Sequence, residues 1–241
     1  MEISGSTALV IGADGGIGTR IVEQMRQRGA RKIYGGVLKA SGRADYIEVE
    51  FDITNTAAVY ELARQVSDIN LVINASGFAS HAPLEPLEAL LRSARREFEI
   101  NCLGQLSTAS VLAPVIESNG GGTIVNTLSI AALVANPIHI GYAASKAAAW
   151  SVTNALRLAF FPRGVHVTGV FLGFTDTPMA AELHPSAPMN DPSDIATRIL
   201  DGVEADEYEI LCDQRSIDVK TKISNDIEEL YLPQLQAKPV F

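Results

Sequence analysis

The sequence alternates short apolar runs with amphipathic stretches of helical spacing along most of its length. The runs are TALVI (7–11), KIYGGV (32–37), YIEVEF (46–51), NLVINA (70–75), GTIVNTL (122–128), HVTGVF (166–171) and EYEILC (207–212). Several are too apolar to keep one face in water, which is typical of strands covered on both sides in a parallel sheet. The alternation therefore predicts right-handed βαβ units and a single α/β domain over residues 1–241, with a doubly wound, seven-stranded parallel sheet and helices on both faces.

Composition excludes several partners. The chain has 241 residues, of which 47% are hydrophobic, and this is enough for one well-formed core. Its 19 basic and 28 acidic side chains give a net charge of −9. An acidic protein lacks the positive surface that neutralises phosphates, so we expect no nucleic-acid partner and no attraction to anionic membranes.

Targeting, membrane and metal signals are also missing from the sequence. The first ten residues, MEISGSTALV, carry no basic stretch of the kind that opens a secretory signal. The most apolar tract, 130–150, contains Asn136, Pro137 and Lys146, which a membrane helix would not tolerate cheaply. The two cysteines lie far apart and the four histidines are scattered. A metal-free protein of the reducing cytoplasm is the prediction.

Glycines and small polar residues follow the predicted strands, at the edge of the sheet where doubly wound proteins bind ligands. The first strand is followed by Gly12-Ala13-Asp14-Gly15-Gly16-Ile17-Gly18. Such a turn lets the backbone approach a pyrophosphate at the N-terminus of the next helix, although any tight turn can use glycine. Asp52-Ile53 and Asn74-Ala75-Ser76-Gly77 follow the third and fourth strands and would suit an adenosine. Alternatively, Asp52 caps a helix or forms a turn.

A phenol and an ammonium lie one helical turn apart in Tyr142-Ala-Ala-Ser-Lys146. Ser129 follows the fifth strand, and Asn101 lies inside a predicted helix in which asparagine is a poor helix former. Each has a structural alternative: a half-buried aromatic, a solvated lysine, a strand terminator and a helix-bending amide.

Taken in order, these segments resemble the short-chain dehydrogenase/reductase family. The resemblance runs over roughly residues 5 to 180 and ends in a Gly-x-x-x-Thr segment at 173–177. It implies a Rossmann-type fold and an oxidoreductase that moves hydride between a nicotinamide cofactor and a carbonyl or secondary alcohol.

The resemblance also implies roles for four catalytic residues. Tyr142 would be the general acid in reduction and the base in oxidation. A free phenol has a pKa near 10, so bringing it close to 7 requires about 4 kcal/mol in favour of the phenolate. Lys146 would supply this by lowering the pKa of Tyr142, and would hold the nicotinamide ribose. Ser129 would polarise the carbonyl, and Asn101 would hold Lys146 and a water that leads to solvent.

The resemblance places the cofactor on residues from every part of the predicted strand edge. They are Gly12, Asp14, Gly16, Ile17, Gly18, Val37, Lys39, Asp52, Ile53, Asn74, Ala75, Gly77, Tyr142, Lys146, Gly173, Thr175 and Thr177.

The end of the second strand favours NADP(H), with NAD as the alternative. Val37 stands where NAD-preferring relatives carry Asp, and Lys39 or Arg43 would supply positive charge. Against this, Leu38 stands where NADP-dependent relatives often have arginine, and Asp14 adds negative charge.

A small-molecule carbonyl or alcohol is the predicted substrate. Its pocket would be lined by Ile130, Ala131, His139, Phe174 and Met179, which suggests a neutral ketone or aldehyde, although a lone histidine in an apolar segment is more often structural. Residues 179–192 read as a short lid.

The C-terminal part predicts a helical tail from about residue 213, where many relatives have a glycine-rich strand that builds a tetramer. We expect a homodimer through the helix of Tyr142 and the helix of residues 103–116, with a homotetramer as the alternative.

An NADPH-dependent ketone or aldehyde reductase is the leading interpretation. An NAD-dependent secondary-alcohol dehydrogenase is the first alternative. A dinucleotide-sensing regulator without catalysis is the second.

Overall fold

The computed structural model describes residues 1–82, 84–183 and 186–236. Within them, seven parallel strands form one sheet in the order β3-β2-β1-β4-β5-β6-β7. The strands are β1 (Thr7–Ile11), β2 (Lys32–Val37), β3 (Ile47–Glu50), β4 (Leu71–Asn74), β5 (Gly122–Thr127), β6 (Val165–Phe171) and β7 (Glu209–Leu211). The predicted doubly wound Rossmann-type fold is confirmed.

Helices connect all successive strands except β2 and β3, which a loop joins, and they cover both faces of the sheet. They are α1 (Gly16–Gln27), α2 (Thr56–Gln65), α3 (Leu87–Phe98), α4 (Gly104–Ser118), α5 (Ile140–Phe160), α6 (Pro178–Leu183), α7 (Pro192–Glu204), α8 (Gln214–Lys222) and α9 (Leu232–Gln236). A π-helical turn, Glu99–Leu103, joins α3 to α4. No helix in the described ranges is both long and apolar enough to cross a membrane.

The first strand shows why the apolar runs lack a polar face. Leu9 and Val10 are both fully buried, but they point to opposite sides of the sheet. Val10 packs in a core with helices α1 and α7, and Leu9 in a second core with α2 and α4. A strand covered on both sides must be apolar at every position.

Two edge strands are shorter than the runs that predicted them. The run 46–51 becomes β3 over Ile47–Glu50, and the run 207–212 becomes β7 over Glu209–Leu211. Each edge strand has one neighbour, so its ladder ends where the pairing with β2 or β6 ends.

The chain reverses its winding direction between β1 and β4, which lie side by side although they are far apart in sequence. Ile11 and Asn74, the last residues of these strands, are register partners. The loops that follow them diverge to opposite sides and leave a crevice at this edge of the sheet.

The tail and the predicted lid meet at Asp213. This residue caps α8 in a capping box with Ser216. Its Oδ2 also accepts hydrogen bonds from Gly173 N (2.6 Å) and Asn190 Nδ2 (3.0 Å). Asn190 also forms a β-bridge with Thr175, and this bridge holds the two ends of the segment 179–192 together. Within the predicted lid and tail, residues 184–185 and 237–241 lie outside the described residues.

Candidate active site

A cleft with a volume of about 1280 Å³ runs along the carboxyl ends of the strands. One end is formed by the glycine turn after β1 and by the end of β2. The other end is formed by Tyr142, Lys146 and Met179. It is large enough for an elongated ligand.

Tight backbone packing shapes the glycine turn. Gly12 has a φ of +79°, a conformation that favours glycine. A Cβ on Gly18 would lie 2.0 Å from the Gly12 carbonyl oxygen, and one on Gly16 would lie 2.6 Å from Thr177 Cγ2. Helix α1 starts here without a side-chain cap and without an acidic residue in its first turn. Its first N–H groups therefore face the cleft as donors, which fits the pyrophosphate of a dinucleotide.

Asp52 and Ile53, which were predicted to contact an adenosine, both line the cleft. Asp52 Oδ1 also accepts hydrogen bonds from Thr54 N (2.9 Å) and Thr54 Oγ1 (2.8 Å), so it forms a local turn. Ile53 packs against Gly104, where a Cβ would come within 2.9 Å of it. Asp52 therefore forms a local turn and also lines the cleft.

Only one of the two basic residues proposed near the end of β2 is available for a ligand. Arg43 is held by both carboxylate oxygens of Asp45 (2.8 and 2.6 Å) and lies over the ring of Tyr46. Lys39 is exposed and makes no ion pair with any described residue. Leu38, next to it, lines the cleft and is 72% exposed.

Tyr142 and Lys146 lie in the first turns of α5 and both line the cleft. Lys146 is 2% exposed, and its Nζ donates to the Thr127 carbonyl (2.9 Å) and lies 5.8 Å from the centre of the Tyr142 ring. Ser129 begins a short 3-10 helix, where its Oγ accepts from Ala131 N (3.1 Å), and it also hydrogen-bonds the Tyr142 side chain. The fold thus brings the phenol, the ammonium and the hydroxyl together.

The protein's own groups shift the pKa of Tyr142 in the direction opposite to the sequence-based prediction. Burial raises the pKa of the phenol, the nearby charge of Glu97 adds to the rise, and the hydrogen bond with Ser129 opposes it. Burial also lowers the pKa of Lys146 to about 8. Enclosure disfavours the charged form of each group, and desolvation is the largest cause of both shifts.

Asn101 lies in the π-helical turn between α3 and α4, a kind of irregularity that is frequent at functional sites. Its side chain bonds both backbone groups of Phe78 (2.8 Å each) and the Ser145 hydroxyl (3.0 Å). The expected direct contact with Lys146 is therefore replaced by contacts to the loop after β4. The two side chains lie on either side of Gly77, 3.6 and 3.8 Å from the place where a Cβ would be.

Not all the predicted residues lie in the cleft wall. Those that do are Gly12, Asp14, Gly16, Ile17, Val37, Asp52, Ile53, Ala75, Gly77, Tyr142, Lys146, Thr177 and Met179. Others support that wall: Gly18 packs on the turn, and Asn74 accepts from Ser76 Oγ (2.7 Å). Gly173 and Thr175 take part in the contacts that hold the two ends of the segment 179–192 in place.

The predicted substrate pocket is only partly formed by the expected residues. Ile130 is buried, and Ala131 is used through its backbone N–H. Phe174 lies under Arg215, with 5.3 Å from the guanidinium carbon to the ring centre. His139 is buried, and its Nδ1 donates to the Ser80 carbonyl (3.1 Å). This contact agrees with the alternative interpretation, in which His139 has a structural role.

Sequence reasoning missed the contribution of α3 and the loop before it. Ser80, Ser93, Arg92 and Arg96 all line the cleft, and Arg96 lies over the ring of Phe78 (4.9 Å). The spacing of the two arginines places them on one helix face. Nothing in the sequence shows that this face borders the cleft, so no local pattern could have identified them.

Comparisons with known proteins agree with this geometry. A family model described as short chain dehydrogenase matches residues 6–187. A crystal structure of a short chain dehydrogenase from Burkholderia cenocepacia J2315 in complex with NADP is 35% identical, with a TM-score of 0.89 over 98% of this chain and 100% of that one.

Two curated relatives act on different carbonyl compounds. The 3-oxoacyl-acyl-carrier-protein reductase of Rickettsia bellii is 27% identical over 83% of this chain and 89% of its own length. A 3-alpha-(or 20-beta)-hydroxysteroid dehydrogenase of Mycobacterium bovis is 29% identical over 74% of this chain and 72% of its own length. The chain belongs to the short-chain dehydrogenase/reductase family of nicotinamide-dependent oxidoreductases, which act on CH–OH and C=O groups.

Proposed function

We propose that the protein reduces a neutral ketone or aldehyde with NADPH. The observation that carries this proposal is the position of Tyr142, hydrogen-bonded to Ser129 and beside Lys146, in the same cleft as the glycine turn. When bound there, the cofactor supplies a hydride to the carbonyl carbon. The residues of the chain must then orient the carbonyl and deliver a proton to its oxygen.

Tyr142 is the proton donor in this proposal. Burial raises the pKa of its phenol, so the group stays protonated at neutral pH and can give its proton to the oxygen that receives negative charge. Ser129 supports the same oxygen with a second hydrogen bond. A protonated phenol at neutral pH suits reduction better than oxidation.

Lys146 and the helix α1 N-terminus contribute positive charge to the cleft. The Lys146 ammonium is held by the Thr127 carbonyl (2.9 Å) in the cleft wall, which supports a role in binding a ribose hydroxyl of the cofactor. Arg92 and Arg96 add positive charge to the wall of the cleft, which favours an anionic ligand such as a dinucleotide in a chain of net charge −9.

NADP(H) is the proposed cofactor because no carboxylate ends β2 at Val37 and because Lys39 is unpaired among the described residues. The similar Burkholderia protein was crystallised with NADP. A preference for NAD would instead support the alternative function, an NAD-dependent secondary-alcohol dehydrogenase.

The test is a panel of ketones, aldehydes and secondary alcohols followed by absorbance of the reduced nicotinamide, with NADPH and NADH in parallel. We expect turnover of a carbonyl with NADPH and a loss of about three orders of magnitude or more in kcat for Tyr142→Phe, because the proton donor is removed. Cofactor affinity of this variant should stay close to that of the wild type.

Two results would contradict the proposal. Unchanged turnover by Tyr142→Phe would remove the phenol from the mechanism. Tight cofactor binding without turnover of any carbonyl would favour a dinucleotide-sensing regulator.

A further inference from the structure

Helix α3 buries a carboxylate beside the catalytic helix. Glu97 is 2% exposed, whereas Glu99, two residues later, is exposed. Glutamate is almost never fully buried unless its charge is compensated. A buried glutamate at this point therefore needs partners, and the structure shows them.

The partners come from the loop after β4. Glu97 Oε1 accepts from Ser80 N (3.0 Å) and from Ser80 Oγ (2.9 Å). The Ser80 hydroxyl also contacts the Ser93 hydroxyl, and its carbonyl accepts from His139 Nδ1 (3.1 Å). Through Ser80, the carboxylate joins this loop to α3 and to the residue that precedes α5.

The carboxylate also lies against the start of α5. A Cβ on Gly141 would be 2.3 Å from Glu97 Oε2 and 2.8 Å from Ala94 Cα, so only glycine fits at this contact. Gly141 immediately precedes Tyr142. The negative charge is therefore close to the phenol, and its effect raises the pKa of Tyr142.

The other groups near Tyr142 come from neighbouring segments. Lys146 lies on α5 itself and Ser129 follows β5, whereas His139, which precedes α5, contacts the Ser80 carbonyl. Lys146 is the only cation among these groups, and burial has lowered its pKa to about 8. The charge of Glu97 opposes the lysine at the same phenol.

We propose that Glu97 is a positioning residue with two effects: its negative charge lies beside the helix turn of Tyr142 and disfavours the phenolate, and its hydrogen bonds with Ser80 hold the loop after β4 in place. The first effect opposes alcohol oxidation, the direction that needs the phenolate. The second places the Ser80 and His81 segment, which lines the cleft. The proposal rests on the reductase function described above.

The first experiment removes the charge and keeps the shape. Glu97→Gln retains an oxygen that can accept from Ser80, so the fold should persist, as a thermal unfolding scan can verify. The matched control is Glu88→Gln, which removes the same charge from an exposed residue in the first turn of the same helix.

Two readouts follow the phenol. One is the pH profile of kcat/KM for alcohol oxidation, which requires the phenolate. The other needs no turnover: titration of Tyr142 by tyrosinate absorbance, taken as the difference from Tyr142→Phe in each background. In both, Glu97→Gln should move the inflection to lower pH because a nearby negative charge is removed, and Glu88→Gln should leave it in place.

The second experiment tests the loop. Ser80→Ala removes one of the two hydrogen bonds to the carboxylate and should raise the KM for the carbonyl several-fold while cofactor affinity stays unchanged. Ser107→Ala, a hydroxyl on the outward part of α4 away from the cleft wall, is the control.

Several outcomes would overturn the proposal. An unchanged inflection in Glu97→Gln would show that the charge does not act on the phenol, and an equal shift in Glu88→Gln would show a general electrostatic effect. Equal loss of carbonyl and cofactor binding in Ser80→Ala would assign the network to folding. Because the absorbance titration needs no substrate, failure of the reductase assignment would be distinguishable from failure of this proposal.

Discussion

At the residue scale, the candidate site contains two groups whose charged forms are disfavoured by the fold. Tyr142 and Lys146 sit in an enclosed cleft where burial raises one pKa and lowers the other. The i, i+4 spacing brought them together as predicted, but spacing alone carries no information about solvent. Desolvation of both groups lowers the free energy of unfolding of the protein.

Lys146→Met should therefore change how stability depends on pH. A fall in pKa from 10.5 to about 8 corresponds to about 3 kcal/mol. The unfolded chain holds this proton up to pH 10.5, whereas the folded chain releases it near 8. The lysine's contribution to the free energy of unfolding is thus present above the unfolded value and is lost as the pH falls through about 8.

We expect Lys146→Met to be more stable than the wild type near pH 7, by less than the full 3 kcal/mol because the Thr127 carbonyl loses its donor. The advantage should shrink as the pH rises from about 8 to above 10. Urea unfolding of both proteins across this range measures it. A difference that does not vary with pH would contradict the prediction.

At the element scale, neighbouring segments decide which of the candidate groups remain available. The loop after β2 is folded back by acidic residues, with Glu48 accepting from the backbone of Ser41 (2.9 Å) and Gly42 (2.8 Å). The guanidinium of Arg43 is bound by the carboxylate of Asp45 in the same loop. Lys39 is therefore the basic residue to which we assign the proposed preference for NADPH.

Lys39→Ala should lower kcat/KM for NADPH about tenfold, which is the value of about one charged hydrogen bond, and should leave NADH nearly unchanged. Arg43→Ala is the matched control, since its guanidinium already has a carboxylate partner, and its effect on the NADPH/NADH ratio should be smaller. Steady-state kinetics with both cofactors measure this. Equal losses with NADPH and NADH in Lys39→Ala would contradict a phosphate contact.

At the scale of the whole molecule, the outward face of α5 carries no charge over its length. Its exposed residues are Ala144, Ala147, Ser151, Ala155, Leu158 and Ala159. Leu158 is 79% exposed and Leu103, before α4, is 46% exposed. Small and apolar residues let two helices approach closely, so this face supports the proposed homodimer through α4 and α5.

Leu158→Glu should convert the dimer to a monomer, because a carboxylate would be buried at the contact without a partner. Tyr60→Glu, at an exposed aromatic of α2, is the control and should leave the mass unchanged. Light scattering during size-exclusion chromatography measures both. A wild-type mass for Leu158→Glu would place any interface elsewhere.

The sequence by itself determined the strand pattern, the strand-end positions of the ligand-binding segments and the identity of the family. These features depend on local properties: a strand buried on both faces must be apolar throughout, and a turn such as that at Gly12 needs a positive φ. Tyr142, Ser129 and Lys146 could be predicted to converge because parallel strands end at one edge of the sheet.

Only the tertiary structure decided the rest. Which face of α3 meets the cleft, which partner takes Arg43 and why Glu97 is buried all depend on contacts between segments distant in the chain. The direction of the Tyr142 pKa shift depends on the same contacts, because desolvation is a property of the assembled site. A local pattern records which groups are present, whereas their burial, and hence their charge, is decided by what packs around them.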